Sequence, residues 1–341
     1  MRLLTAVLVY AVGAGACFFG GSGPGVPPAA DAGRTARVGL VVATNSPAFR
    51  RLLSVADRGG VIVLFVQPGG PGDQAGVSAG DVITAVDGNA VPNAEVGVVA
   101  LRAHINEDRK LDIVRRNGDK KTITIHPRVP GAVDLRQLYT PLIDQRPNDP
   151  LLLYLRAQAD QPVADYNKAI ADLDRAITTD PQFAEARILR AELEWNLSEQ
   201  NTLSATRRAD LERAALRDWS DALHIDNKNA RGISSIAEAI AVSQPQAALR
   251  AIKGVLDIDN RLPSAYYASG LAELTRRQYQ KAAEAARTAV GLNPYDLRYY
   301  ELLATSFQKL KRTDDCTKTL QSVFTLLSDT QEKARLLTIC S

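Results

Sequence analysis

The sequence predicts a multidomain α and β protein: a small mixed β domain followed by an all-α solenoid of helix pairs. Three observations carry that expectation. Short β-rich runs fill residues 36–128, the period turns helical beyond a Pro-rich bridge from Pro127 to Pro150, and the helical part repeats itself every 34 residues. The chain's 341 residues suffice for two or three domains, and 45% hydrophobic beside 23% charged residues excludes wholesale disorder. The 41 Lys and Arg are interleaved with 38 Asp and Glu, so no nucleic-acid face is expected. Three His and three Cys lack zinc-ligand spacing, and no cofactor or metal is implied.

Residues 1–16 read as a signal peptide or membrane anchor. Met1-Arg2 supplies charge, Leu3 to Ala16 an apolar stretch and Ala14-Gly15-Ala16 a small-residue cleavage site before Cys17. Three fates follow: cleavage, lipidation of Cys17, or retention of Leu3 to Phe19 as an anchor, a run short for a span. Ala-Gly-Ala-Cys partly resembles a bacterial lipoprotein signal, with Ala14 where Leu is usual. An extracytoplasmic place, periplasmic or in the cell envelope, is expected, with membrane anchoring favoured over free secretion. Residues 17–35, rich in Gly, Pro and Ala, read as a flexible tether.

In the β domain, strands are expected at Val38 to Ala43, Val61 to Val66, Val82 to Val86, Leu111 to Arg115 and Thr122 to His126. Asn117-Gly118 signals a hairpin with a type I′ turn, which needs positive φ at both central residues. Two helices are expected, one around Asp73 to Ala75 and one running from an Asn93 N-cap to about His104.

Gly60-Val61-Ile62-Val63, Pro68-Gly69-Gly70-Pro71, Ala75-Gly76-Val77, Gly80-Asp81-Val82-Ile83 and Val86-Asp87-Gly88 follow one another in that order. Over residues 36–128 the chain resembles a bacterial PDZ domain of the HtrA type, departing at Gly72, where that family usually has Ala. The resemblance implies a Φ-Gly-Φ loop whose amides receive a peptide's terminal carboxylate, and a following strand that accepts the peptide by β-augmentation. The corresponding residues are Arg37, Val38, Gly39 and Leu40, with Val38, Leu40 and Val42 as apolar walls and Arg34 and Arg37 as added charge. Val96, Val99 and Ala100 form either the opposite wall or plain core. HtrA-type proteins carry a protease domain before the PDZ domain, and the 35 residues before Ala36 leave no room for one. His104, His126 and His224 have no partnered nucleophile in the sequence, so no enzyme is expected.

Residues 129–148 read as a linker. Beyond it Gly270, Ala282, Ala289 and Pro294 recur 34 residues later as Ala304, Cys316, Val323 and Ser328, and 34 earlier as Ile236, Ala248, Val255 and Asn260. Ala157, Ala169, Ala176 and Pro181 keep the spacing. Ala191 and Ala215 stand 24 apart rather than 12, so about twelve extra residues lie near Ser198 to Arg208. Residues 149–329 thus resemble a tetratricopeptide (TPR) array of about five helix pairs, with residues 330–341 as a capping helix. In that register the concave face holds Tyr154, Ile188, Trp195, Ile233, Ile240, Tyr267, Leu271 and Leu274. An apolar face of this kind suits a partner's helix or extended peptide, or packs on the PDZ domain or on neighbouring helices.

These readings describe a non-enzymatic extracytoplasmic scaffold or adaptor. It would bind protein C-termini or extended peptides at the PDZ groove and an envelope partner at the helical face, gaining avidity from two modest sites. The alternative is a regulatory or substrate-delivery subunit of a separate envelope protease. With Cys17 lipidated or removed, Cys316 and Cys340 remain as an even pair, expected to form a disulfide that pins the end of the array.

Overall fold

A computed structural model describes residues 16–18, 35–36, 38–104, 107–128, 135–160, 166–198, 200, 203–324 and 330–340. Most of the signal and tether segments, together with Arg34 and Arg37, lie outside the described residues. The chain divides into two compact units, one ending at Asn229 and one beginning at Ala230.

The first unit opens with β1 (Ala16–Phe18), β2 (Thr35–Ala36), β3 (Leu40–Thr44), α1 (Pro47–Leu53), β4 (Val61–Val66), α2 (Pro71–Gln74), β5 (Val82–Val86), β6 (Asn89–Ala90), α3 (Ala94–Leu101), β7 (Ala103–His104), β8 (Arg109–Val114) and β9 (Lys120–Ile125). An antiparallel sheet runs in the order β1-β3-β4-β5-β8-β9 with β6 beside β5, and β2 pairs separately with β7. His104 therefore lies in a short strand rather than at the end of a helix, because α3 stops at Leu101 and Arg102 turns extended. At the β8–β9 hairpin Gly118 has φ +100° and its amide donates to Arg115 O, while Asn117 keeps a negative φ. The loop is a three-residue turn closed by a left-handed glycine rather than a type I′ pair. Asp81, almost wholly buried, ties the start of β5 to the end of β8: it accepts from the Ser78 amide at 2.8 Å and from Arg115 at 2.6 Å.

Alternation along β3 assigns its two faces to two cores. Leu40 and Val42 join Val61, Val63, Ile83 and Leu111 inside the β domain. Val41 and Ala43 instead share a cluster with α1 and with the helices that follow. Those helices are α4 (Leu135–Gln145), α5 (Pro150–Asp160), α6 (Tyr166–Thr179), α7 (Ala184–Ser198) and α8 (Ala205–Ile225). The stretch read as a linker thus carries α4, whose Leu135, Tyr139 and Ile143 recur at i, i+4, i+8 and bury against the cluster. Helix α1, which no motif announced, starts at an N-cap where Ser46 Oγ accepts from the Phe49 amide and Pro47 presets the first turn. Phe49 then packs edge-on against Tyr154 of α5 and Phe183 just before α7, at centroid distances of 5.5 and 5.6 Å. Phe65 meets Tyr139 at 5.0 Å.

The helical repeat is legible in its ion pairs. Arg156 grips Asp172 with Nε and Nη2 at 2.6 and 2.8 Å, and Arg190 grips Asp218 in the same bidentate way at 2.5 and 2.7 Å. The arginines stand 34 residues apart and the aspartates 46, so the second repeat carries a twelve-residue expansion. It is absorbed by a 15-residue α7 and a 21-residue α8.

The second unit comprises α9 (Ala230–Ile240), α10 (Pro245–Ile258), α11 (Pro263–Thr275), α12 (Tyr279–Leu292), α13 (Leu297–Lys309), α14 (Thr313–Val323) and α15 (Thr330–Leu337). Ala248, Ala282 and Cys316, 34 apart, are fully buried where paired helices approach closely. The Tyr266 hydroxyl donates to Asn260 O and the Tyr300 hydroxyl to Pro294 O, again 34 apart. Cys316 of α14 is bonded to Cys340 beyond α15, with the Cα atoms 5.7 Å apart. An ion pair between Arg335 and Glu301 fastens α15 to α13 as well.

Candidate peptide-binding groove

The groove is built around β3. Its entrance is the loop Val38-Gly39-Leu40, where Gly39 has φ +67°, a conformation that any side chain would strain. Two bonds hold the loop: Gly39 O accepts from the Gln67 amide at 2.9 Å and Val38 O from the Gly72 amide at 2.8 Å. Among the described residues, no carbonyl accepts from the Gly39 amide, which leaves a donor for an incoming carboxylate. The glycine at 72 has a local reason. A Cβ there would sit 2.4 Å from Leu40 Cδ2 and 3.1 Å from Val38 O, so the loop closes down on α2 only because that Cβ is missing.

The opposite end is set by α3. Asn93 caps it, accepting from the Val96 amide at 2.9 Å, and the Ala94 amide donates to Thr44 Oγ1 at 3.0 Å. That bond joins the end of β3 to the start of α3 and sets the groove's width there. Thr44 carried no signal in the sequence, because its role depends on a partner fifty residues away.

Sequence and structure divide the apolar walls differently. Val38, Leu40 and Val42 are fully buried in the domain's own core, so β3 faces a peptide mainly with backbone. On α3, Val96 is buried, Ala100 packs on that core and Val99 is half-exposed. The groove is not bare. β1 pairs antiparallel along β3, with Ala16 opposite Ala43, Cys17 opposite Val42 and Phe18 opposite Val41, and α3 flanks it. Its C-terminal end points toward the Gly39 loop, the polarity that a peptide needs to present its carboxylate there.

Of the residues assigned to the helical face, Tyr154 and Ile188 are fully buried in the first unit, and Tyr154 is covered by Phe49 of α1. Neither offers a surface to a partner; the side chain that fills the start of the face is the chain's own. Trp195 is half-buried, 5.7 Å from Trp219. In the second unit Tyr267 is buried beneath Arg298, whose guanidinium lies 5.0 Å from the ring centroid and pairs with Asp296 and Glu238. Burial raises the Tyr267 pKa, and Glu238 adds to that. Ile233, Ile240, Leu271 and Leu274 are half-buried. His126 Nδ1 lies 2.7 Å from Asp108 on an exposed edge, and His224 is bonded to Ser220 O.

Comparison with known proteins agrees with this geometry. Residues 34–126 match the PDZ domain family. A stretch of 63 residues is 40% identical to HhoA of Synechocystis sp., named as a serine protease; it covers 18% of this chain and 16% of that protein. Among solved structures, a thermophilic TPR protein of Thermus thermophilus superposes with a TM-score of 0.46 at 18% identity, over 50% of this chain and 88% of that one. Yeast Tom70 gives 0.46 at 15% identity, over 62% and 43%. The repeat itself is defined by the 34-residue recurrence of Ala248, Ala282 and Cys316 and of Arg156 and Arg190. Residues 34–126 are a PDZ domain, and this chain fuses it to a TPR-type array of helix pairs.

Proposed function

We propose that this protein is a non-enzymatic adaptor outside the cytoplasm that receives protein C-termini or extended peptides at β3. The observation that carries the reading is the antiparallel strand on β3 with its C-terminal end at the Gly39 loop. Backbone pairing supplies affinity there and the Gly39 amide a place for a carboxylate. The TPR-type helices serve a second protein partner, and joining both sites on one chain raises the combined affinity. The charge at Met1-Arg2 and the apolar stretch to Ala16 support export and retention at a membrane. Likeness to HhoA over 63 residues favours one further role, delivery of bound substrates to a separate protease.

The test uses the full chain, because Phe49 and Val41 of the PDZ domain are buried against α4 to α7 and an isolated domain would expose them. A labelled peptide ending in an apolar residue should bind with micromolar to millimolar affinity, and Gly39→Trp should abolish binding while the far-UV spectrum stays unchanged. Equal binding by both chains refutes the proposed site.

A further inference from the structure

We infer that Ala16–Phe18 is a resident ligand of the groove, so that an outside peptide binds only by displacing it; this rests on the function proposed above. The β1 register covers Val41, Val42 and Ala43, the centre of the strand that β-augmentation would use, and α3 flanks the same segment. Backbone pairing is exclusive: each amide and carbonyl on the open edge of β3 serves one neighbour at a time. The occupant suits the site chemically, since β3 offers it mainly backbone and Ala-Cys-Phe carries no charge to desolvate.

Covalent linkage decides the strength of the competition. β2, which pairs with β7, fixes the chain again at Thr35, and only residues 19–34 intervene. A tether of that length holds β1 at an effective concentration on the order of millimolar. Peptides of modest affinity would therefore meet an occupied groove. Ala16–Phe18 lies inside the apolar run from Leu3 to Phe19, so these three residues cannot pair with β3 and sit in a bilayer at the same time.

The experiment compares the full chain with its Cys17→Pro, Phe18→Pro double variant. Adjacent residues of a strand direct their N–H groups to opposite sides, so two successive prolines necessarily remove a donor facing β3. Hydrogen exchange at Val41 to Ala43 reads the cis pairing directly, and fluorescence polarisation reads affinity for a labelled peptide ending in a free apolar residue. Faster exchange on β3 in the variant, with about tenfold tighter peptide binding, supports the inference. Unchanged exchange overturns it, as does peptide binding of equal strength in both chains. Peptide binding by neither chain, even with β3 exchanging faster in the variant, overturns it together with the proposed function.

Discussion

Phe49 of the PDZ helix α1 and Tyr154 of the first helical repeat meet edge to face, with ring centroids 5.5 Å apart and planes at 65°. Tyr154 is fully buried by that contact and by Phe183, and Arg51 of the same helix pairs with Asp180 at 2.5 Å. The first repeats are therefore capped by the PDZ domain, and the two folds share one core from Val41 to Leu193. Phe49→Ala should cost about 3–5 kcal/mol of stability, the range for a large aromatic lost from a core. Combined with Tyr154→Ala it should show a coupling of roughly 0.5–3 kcal/mol in urea unfolding. Strict additivity would show that the two rings do not act together.

Glu194 on α7 is half-buried with Oε2 unpartnered, close enough to feel Asp218 and Asp174. Desolvation first, and then the charge of Asp218, raise its pKa to about 7, while Arg190 opposes them. The unfolded chain releases this proton near the ordinary carboxylate value of 4.5, whereas the folded chain keeps it to about 7. Its contribution to stability is complete below pH 4.5 and is lost as pH rises through 7. Glu194→Gln should match the parent in melting temperature near pH 4.5, exceed it increasingly from pH 5 to 7 and keep a constant advantage above that. A constant difference from pH 5 to 7 would contradict the assignment.

Much of this architecture is legible in the amino-acid sequence, for identifiable reasons. The motif around Gly80-Asp81 and the 34-residue recurrence record local geometry, a tight turn and a close helix crossing, so residue type alone exposes them. Helix α4 was hidden by prolines on both sides and by Pro141 inside it, though Leu135, Tyr139 and Ile143 kept a helical period. Helix α1 is only seven residues long, too short for periodicity to separate it from a loop. The apolar stripe holding Tyr154 was legible, but its occupant was not, since Phe49 lies more than a hundred positions upstream. The same distance problem hid Thr44 and the pairing of β1 with β3, because apolar residues 16–18 look alike in an export segment and in a strand.

Cys316 and Cys340 close a loop with a sequence separation of 24 between α14 and the end of α15. By the chain-entropy relation that cross-link contributes roughly 3–4 kcal/mol through the unfolded state. Reduction, or a Cys316→Ala, Cys340→Ala double substitution, should lower the melting temperature and loosen α15 first in hydrogen exchange. Quantitative alkylation of both thiols in unreduced protein would contradict the bridge.

The proposed function stands on the loop at Gly39 receiving a terminal carboxylate beside a strand-accepting β3. The most direct measurement is the affinity of the full chain for one apolar-ended peptide in two forms, free acid and C-terminal amide, in the Cys17→Pro, Phe18→Pro background. The amide should bind at least tenfold more weakly, a loss of about 1.4 kcal/mol or more. Equal affinity for the two forms would contradict it.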